Sequence, residues 1–79
     1  MKAKVYVTLK PGVLDPQGKA IQHSVELLGF NDISDVRQGK YFELDLATTE
    51  RAQAEKLAAD VADKVLANPV IESYRIEVD

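Results

Sequence analysis

The sequence predicts an α+β fold of the ferredoxin-like type, a two-layer sandwich in which two helices cover one face of a four-stranded antiparallel sheet. The hydrophobic pattern switches between strand-like and helix-like periods along the chain, giving six elements in the order β-α-β-β-α-β. Two β-α-β units joined by a hairpin form this sandwich most economically. The 79 residues suffice for one core, so we expect a single domain over residues 1–79.

The first strand is predicted from a regular alternation of side chains, followed by a break. Alternate residues of a strand point to opposite faces, so one set belongs to the core and the other to an open face. The core set is Val5, Val7 and Leu9, and the open set is Lys4, Tyr6, Thr8 and Lys10. Pro11 and Gly12 then end the strand.

The first helix is predicted to run from about Pro16 to Leu28. Asp15 can accept a hydrogen bond from a free amide of the first turn, and Pro16 has no amide to leave unpaired. Gly29 is placed to end the helix in the left-handed conformation. The face expected to cover the sheet is an apolar stripe at helical spacing, formed by Ile21, Val25, Leu27 and Leu28.

A hairpin is predicted from Ile33 to Leu46. Its turn is expected at Gln38-Gly39, because glycine tolerates the positive φ of tight hairpins. The second limb alternates clearly, so one face belongs to the core and the other is polar. The core set is Phe42, Leu44 and Leu46, and the polar set is Tyr41, Glu43 and Asp45.

The second helix should begin after a cap at Thr48 or Thr49, and its apolar residues keep the helical spacing for three turns, from Ala54 to Val65. Asn68-Pro69 should end this helix, because the residue before a proline is disfavoured in the helical region. The last strand is predicted from Val70 to Val78, with Tyr74, Ile76 and Val78 on one side.

Composition excludes several classes of function. The chain has no cysteine and one histidine, so disulfides and thiolate metal sites are excluded, and oligomerisation is the expected support for a small core. A net charge of −3 argues against nucleic acid as a partner, since that binding depends on clustered lysine and arginine. No apolar run approaches the length of a signal peptide or a membrane span, so we expect no membrane partner and a cytoplasmic location.

Candidate catalytic motifs fail on spacing or context. The segment from Gly12 to Lys19 resembles a phosphate-binding loop, but five residues separate its glycines where the motif has four. It also has Ala20 where a magnesium-binding serine or threonine is required. His23 is a lone histidine, which is more often a surface residue than a metal ligand or a base. We therefore predict no catalytic, cofactor-binding or metal-binding residue in this chain.

The open face of the sheet is predicted to carry Tyr6 and Tyr41 on adjacent strands, where we expect self-association because tyrosine is enriched at protein interfaces. An RNA-recognition domain stacks bases on such a face. Here the third strand lacks the basic and aromatic pattern and carries Glu43 and Asp45, which would repel phosphate. An ACT-like regulatory domain, which binds small molecules at dimer interfaces, shares the order of elements and stays open as an alternative.

Several separated pieces of the sequence resemble the PurS family, the small subunit of phosphoribosylformylglycinamidine synthase. They are VTLKPGVLDPQG, LGF with DVRQGKYFEL, and LANPVIESYRIEV. The resemblance covers nearly the whole chain, and the family is similar in length and shares the order of elements. It implies a non-catalytic subunit of a purine-biosynthesis ligase that forms dimers, sometimes associated into tetramers.

The same resemblance implies two protein partners. One is a large synthetase subunit, PurL, which uses ATP and magnesium to activate formylglycinamide ribonucleotide, and the other is a glutaminase subunit, PurQ, which releases ammonia. The small subunit is implied to bridge them and to help protect the ammonia, with no cofactor of its own. Our candidate partner contacts lie in a loop that two prolines and a cap hold rigid, at Lys10, Pro11, Gly12, Asp15 and Pro16.

Overall fold

The computed structural model describes all residues from 1 to 79 and contains three strands and two helices. None of the helices is long and apolar enough to cross a membrane. The second helix is prolonged by a single π-helical turn, Ala62–Leu66. In chain order the other elements are β1 (Lys2–Leu9), α1 (Pro16–Leu27), β2 (Gly39–Asp45), α2 (Arg51–Val61) and β3 (Glu72–Val78).

The sheet is antiparallel with the strand order β2-β1-β3, so β1 is central and both neighbours are edge strands. The register places Val5 between Phe42 and Ile76 on the core side. On the opposite face, Tyr6 lies between Tyr41 and Arg75. The alternation predicted for the first strand is confirmed, since Val5 and Val7 are fully buried.

The prediction of a four-stranded sheet is wrong for the single chain, because the first limb of the hairpin is not a strand. Gly39 begins β2 instead of forming a turn, and residues 31–38 return along α1 without regular structure. The amide of Gln38 bonds to the side chain of Asp15, and the carbonyl of Ser34 accepts a hydrogen bond from Gln22 Nε2 at 3.0 Å. These groups are therefore bonded to the helical segment and not to a strand.

The core is small and consists of valine and alanine. Its centre joins one face of β1 to α2 and the π-helical turn, and the small alanine side chains let the helix lie close to the strand. Around it, Phe42, Leu44, Leu66 and Ile76 are only partly buried. The buried apolar residues are Ala3, Val5, Val7, Ala54, Ala58, Ala62 and Ala67.

Helix α1 begins and ends where the sequence predicts, within one residue, but only α2 packs closely on the sheet. The prediction that both helices cover one face is therefore wrong for the single chain. Residues 13–38, which we call the arm, project from the sheet and give the molecule extents of 48 × 25 × 14 Å. The radius of gyration is 15.7 Å, against about 12 Å for a compact domain of this length.

The ends of α2 are set by turns on both sides. The predicted cap at Thr48 or Thr49 is wrong, because the helix begins at Arg51 after Glu50, and Thr48 Oγ1 instead accepts a hydrogen bond from the Glu50 amide at 3.2 Å. The predicted stop before Asn68-Pro69 is confirmed, since helical structure ends at Leu66. The last strand starts at Glu72, two residues later than predicted, because the Asn68 carbonyl accepts the Ile71 and Glu72 amides in a turn.

Candidate functional site

The open face of the sheet carries a cluster of three stacked side chains, Tyr6, Tyr41 and Arg75, which we call the tyrosine cluster. The two tyrosine rings have their centroids 5.2 Å apart and are tilted by 37°. The Arg75 guanidinium lies 4.2 Å above the ring of Tyr6, within the range of a cation–π interaction. The predicted pairing of the two tyrosines on adjacent strands is confirmed.

Two carboxylates bind the edges of this cluster. The hydroxyl of Tyr41 donates to Glu43 Oε2 at 2.9 Å, and that of Tyr6 donates to Glu77 Oε2 at 3.4 Å. Desolvation, followed by the hydrogen bond to Glu43, raises the pKa of Tyr41 to about 12. Tyr41 is therefore neutral at pH 7, and Arg75 of the cluster forms an ion pair with Glu77. Amphipathic rings with satisfied hydroxyls and exposed faces are suited to protein contact.

The loop between β1 and α1 is fixed at its start by Lys10. Its backbone amide donates to the Ile71 carbonyl at 2.8 Å, and its side-chain ammonium donates to the Pro69 carbonyl at 2.7 Å. The Lys10 carbonyl in turn accepts the amide of Val13 at 3.1 Å, closing a turn in which Gly12 has a φ of +86°. Glycine is needed there because other side chains rarely adopt that conformation.

Asp15 fixes the other end of the loop. One carboxylate oxygen accepts the Gly18 amide at 2.9 Å, which confirms the predicted cap of α1. The second oxygen accepts the Gln38 amide at 3.0 Å. These two backbone hydrogen bonds hold the pKa of Asp15 below its usual value. Both oxygens of the carboxylate thus accept backbone hydrogen bonds that hold the base of the arm. Pro16 follows as the first helical residue.

Arg37 has a bracing role that the sequence does not reveal. Its guanidinium donates to the backbone carbonyls of Leu9 and Lys10, and so joins the return segment of the arm to the end of β1. The loop and the return segment enclose an open concavity of about 320 Å³, whose lining includes Gly12, Leu14 and Lys19. These bonds go to main-chain carbonyls, which every residue has. The residue pattern therefore does not indicate which carbonyls Arg37 binds.

The structure brings together no set of groups that would carry catalysis. His23 and Ser24 are exposed on α1, and the hydroxyl of Ser24 donates to the Ala20 carbonyl at 3.1 Å. No group of three or more histidine, cysteine or acidic side chains is placed to hold a metal ion. No buried side-chain nitrogen or oxygen lacks a hydrogen-bond partner. The candidate functional features that remain are therefore three surfaces. They are the tyrosine cluster, the loop from Lys10 to Pro16, which we call the rigid loop, and the arm.

Comparison with known proteins identifies the family of this chain. Residues 2–79 match the family model of PurS, described as phosphoribosylformylglycinamidine (FGAM) synthase. The chain belongs to the PurS family. It is 49% identical to the FGAM synthase subunit PurS of Bacillus subtilis, over 99% of this chain and 92% of the relative. This match identifies the chain as a PurS-type subunit of FGAM synthase, and it does not favour the ACT-like alternative.

Solved PurS structures share the fold. The chain superposes on PurS of Methanocaldococcus jannaschii with a TM-score of 0.88 at 36% identity, covering 99% of this chain and 94% of that one. A chain in the PurLQS structure from Thermotoga maritima gives the same TM-score at 24% identity, covering 96% and 93%, and this likeness concerns the fold. The projecting arm is thus part of an architecture that superposes over nearly the full length of other PurS chains.

Proposed function

We propose that this chain bridges the synthetase and glutaminase subunits of FGAM synthase. In that assembly the large subunit, PurL, uses ATP to activate formylglycinamide ribonucleotide, and PurQ supplies ammonia from glutamine. The observation that carries the proposal is the PurS family match over residues 2–79. ATP and magnesium belong to the large subunit in this proposal, and the compartment is the cytoplasm.

The rigid loop is the proposed contact with one of these partners. Lys10 and Asp15 are bonded at opposite ends of it, while Pro11, Gly12 and Pro16 are exposed between and beside them. A segment that is already ordered loses little conformational entropy when a partner binds it. The loop therefore supports a specific contact better than a mobile connection of equal length would.

The tyrosine cluster is the proposed self-association surface of the open sheet face. Tyr41 is 49% exposed although its ring stacks on Tyr6, so the pair presents an ordered aromatic surface to a neighbour. A homodimer that associates further into a tetramer would use two different surfaces of each chain. We assign the cluster to one of these two contacts.

The assembly is tested by co-purification. A tagged copy of the chain is purified from extracts of its own cells, and the retained proteins are identified by mass spectrometry. We expect PurL and PurQ to be retained together, most strongly when glutamine, ATP and magnesium are present. Retention of neither subunit under these conditions would refute the bridging proposal. Retention of other proteins only when amino acids are added would favour the ACT-like alternative.

A further inference from the structure

The open concavity at the base of the arm, which we call the basal concavity, is lined by charged side chains. Its volume of about 320 Å³ lies at the lower end of the range of sites that enclose small organic ligands, about 300–1000 Å³. A nucleotide would stay largely exposed in so small and open a site, whereas one or two side chains of a docked protein would fill it. The charged residues of the lining are Asp15, Lys19, Asp35 and Arg37.

Arg37 is held in place in this lining without being neutralised. One terminal nitrogen of its guanidinium donates to the carbonyls of Leu9 and Lys10, and its other nitrogens donate to no group in the chain. It forms no ion pair. A guanidinium is a planar fork of five donors that matches both oxygens of a carboxylate. Because the two carbonyls already order this fork, it would lose little conformational entropy on binding one.

Lys19 adds a second uncompensated positive charge to the basal concavity. It is exposed on α1, and its ammonium forms neither a hydrogen bond nor an ion pair within the chain. The neighbouring Asp15 already accepts two backbone amides. These two bonds are the main reason for its lowered pKa, and the charges of Arg37 and Lys19 lower the pKa further, so both cations lie near one point. Asp35 is exposed and would oppose an incoming anion.

Leu14 gives the basal concavity an apolar rim. Its side chain is 76% exposed, although the loop that carries it is held on one side by Lys10 and on the other by Asp15. An exposed leucine on an ordered loop can bury its full apolar area against a partner without a large loss of entropy. An ordered apolar side chain beside an arginine offers a partner both buried area and a directional bond.

We infer that the basal concavity receives an acidic segment of a partner subunit, in which a carboxylate accepts hydrogen bonds from Arg37 beside the positive charge of Lys19, and an apolar side chain packs on Leu14. This inference rests on the proposed assembly with PurL and PurQ. It adds the chemistry of the surface that the partner presents to the rigid loop.

Three charge variants test the contact, because the side chains that they change make no bond within the chain. Binding of the immobilised native chain and variants to purified PurL and to purified PurQ is measured at low and at high salt. For one of the two subunits, Lys19→Glu should weaken binding about tenfold, mainly through slower association, and the loss should shrink at high salt. Asp35→Asn should tighten binding to the same subunit about twofold, since it removes a repulsion.

The matched control is Lys56→Glu, which reverses the charge of another exposed helical lysine without an ion pair, outside the arm. It should change binding less than twofold. Equal weakening by Lys19→Glu and Lys56→Glu, or weaker binding of Asp35→Asn, would overturn the inference. A native chain that binds neither subunit would refute the bridging proposal itself, whereas native binding that Lys19→Glu leaves unchanged overturns this inference alone.

A second measurement uses the native chain and needs no substitution. A carbodiimide joins a lysine amine to a carboxylate that it touches, with loss of water, and leaves no spacer between them. The complex of the native chain with PurL and PurQ is treated in this way, and the joined peptides are identified by mass spectrometry. We expect Lys19 joined to an aspartate or glutamate of one subunit, and no such product of Lys56. A complex in which Lys19 is joined to neither subunit would overturn the inference.

Discussion

The carboxylate of Asp15 accepts a hydrogen bond from the backbone amide of Gln38 at 3.0 Å, joining the residue before α1 to the residue before β2. The same side chain caps α1 through the Gly18 amide. One carboxylate therefore both starts the helix and closes the base of the arm. The start of α1 and the base of the arm are therefore both fixed by this single group.

The first prediction is that Asp15 makes the stability of the protein depend on acid pH. Its pKa is lower in the folded chain than its ordinary value of 3.8, so its contribution is full above that value and is lost as the pH falls through the folded pKa. Asp15→Ala should be less stable than the native chain at pH 7, and the difference should shrink below pH 4. Urea unfolding of the variant and the native chain at pH 7 and at pH 3 measures this difference in the free energy of unfolding.

The matched control for Asp15 is Asp35→Ala, which removes an exposed carboxylate from the same arm. It should leave the free energy of unfolding nearly unchanged at both pH values. A stability difference between Asp15→Ala and the native chain that is equal at pH 7 and at pH 3 would show that the hydrogen bonds of the charged carboxylate are not the cause.

The second prediction concerns the small core. Val5→Ala removes two buried methyl groups from a fully buried position, and it should lower the free energy of unfolding by about 2 kcal/mol. Val70→Ala makes the same chemical change at a position that is 77% exposed, and it should cost less than about 0.5 kcal/mol. Denaturant unfolding of the two variants measures the difference, and equal losses would contradict the described core.

Local signals in the sequence predicted much of this fold. The alternation around Val5 placed β1, and the Asp15-Pro16 pair fixed the start of α1, because a cap and a first-turn proline act within one turn of the helix. Gly29 adopts the positive φ expected of a residue that ends a helix. These features depend on neighbours in the chain, so the sequence displays them directly.

What the sequence did not predict depends on distant contacts. Ile33 and Val36 are β-branched residues typical of strands, but Arg37 and Gln38 bond to groups more than 20 positions earlier, and these bonds keep the segment out of the sheet. The apolar stripe of α1 shows that the helix needs a partner, yet a stripe does not specify which surface covers it. For the site, the placement of Tyr6 and Tyr41 on one open face was predicted, whereas bracing by Arg37 was not.

The third prediction is that the tyrosine cluster contributes to self-association. Replacing Tyr6 and Tyr41 together by serine removes the stacked aromatic surface, and it should lower the average mass measured by light scattering at high concentration. Tyr74→Ser is the control, because Tyr74 is 37% exposed and lies outside the cluster. If the double variant keeps the native mass, the cluster is not a self-association surface.

The fourth prediction concerns the rigid loop. Pro11→Ala should loosen the loop and weaken retention of a partner subunit about two- to fivefold, because the variant loses more conformational entropy on binding. Val65→Ala changes a residue outside the loop that is 75% exposed, and it should leave retention unchanged. Binding is measured as the affinity of immobilised chain for purified PurL and for purified PurQ. Identical affinities of the Pro11→Ala variant and the native chain for both would remove this loop from the partner contacts.

The bridging role is tested most directly by comparing two nitrogen donors for FGAM synthesis. Purified PurL and PurQ are assayed with and without this chain, first with glutamine and then with high concentrations of ammonium. Ammonia from glutamine must pass between docked sites, whereas external ammonium reaches the synthetase without docking. We predict that omitting the chain nearly abolishes synthesis from glutamine and spares most synthesis from ammonium. Equal loss with both donors, or no loss with either, would contradict the bridging role.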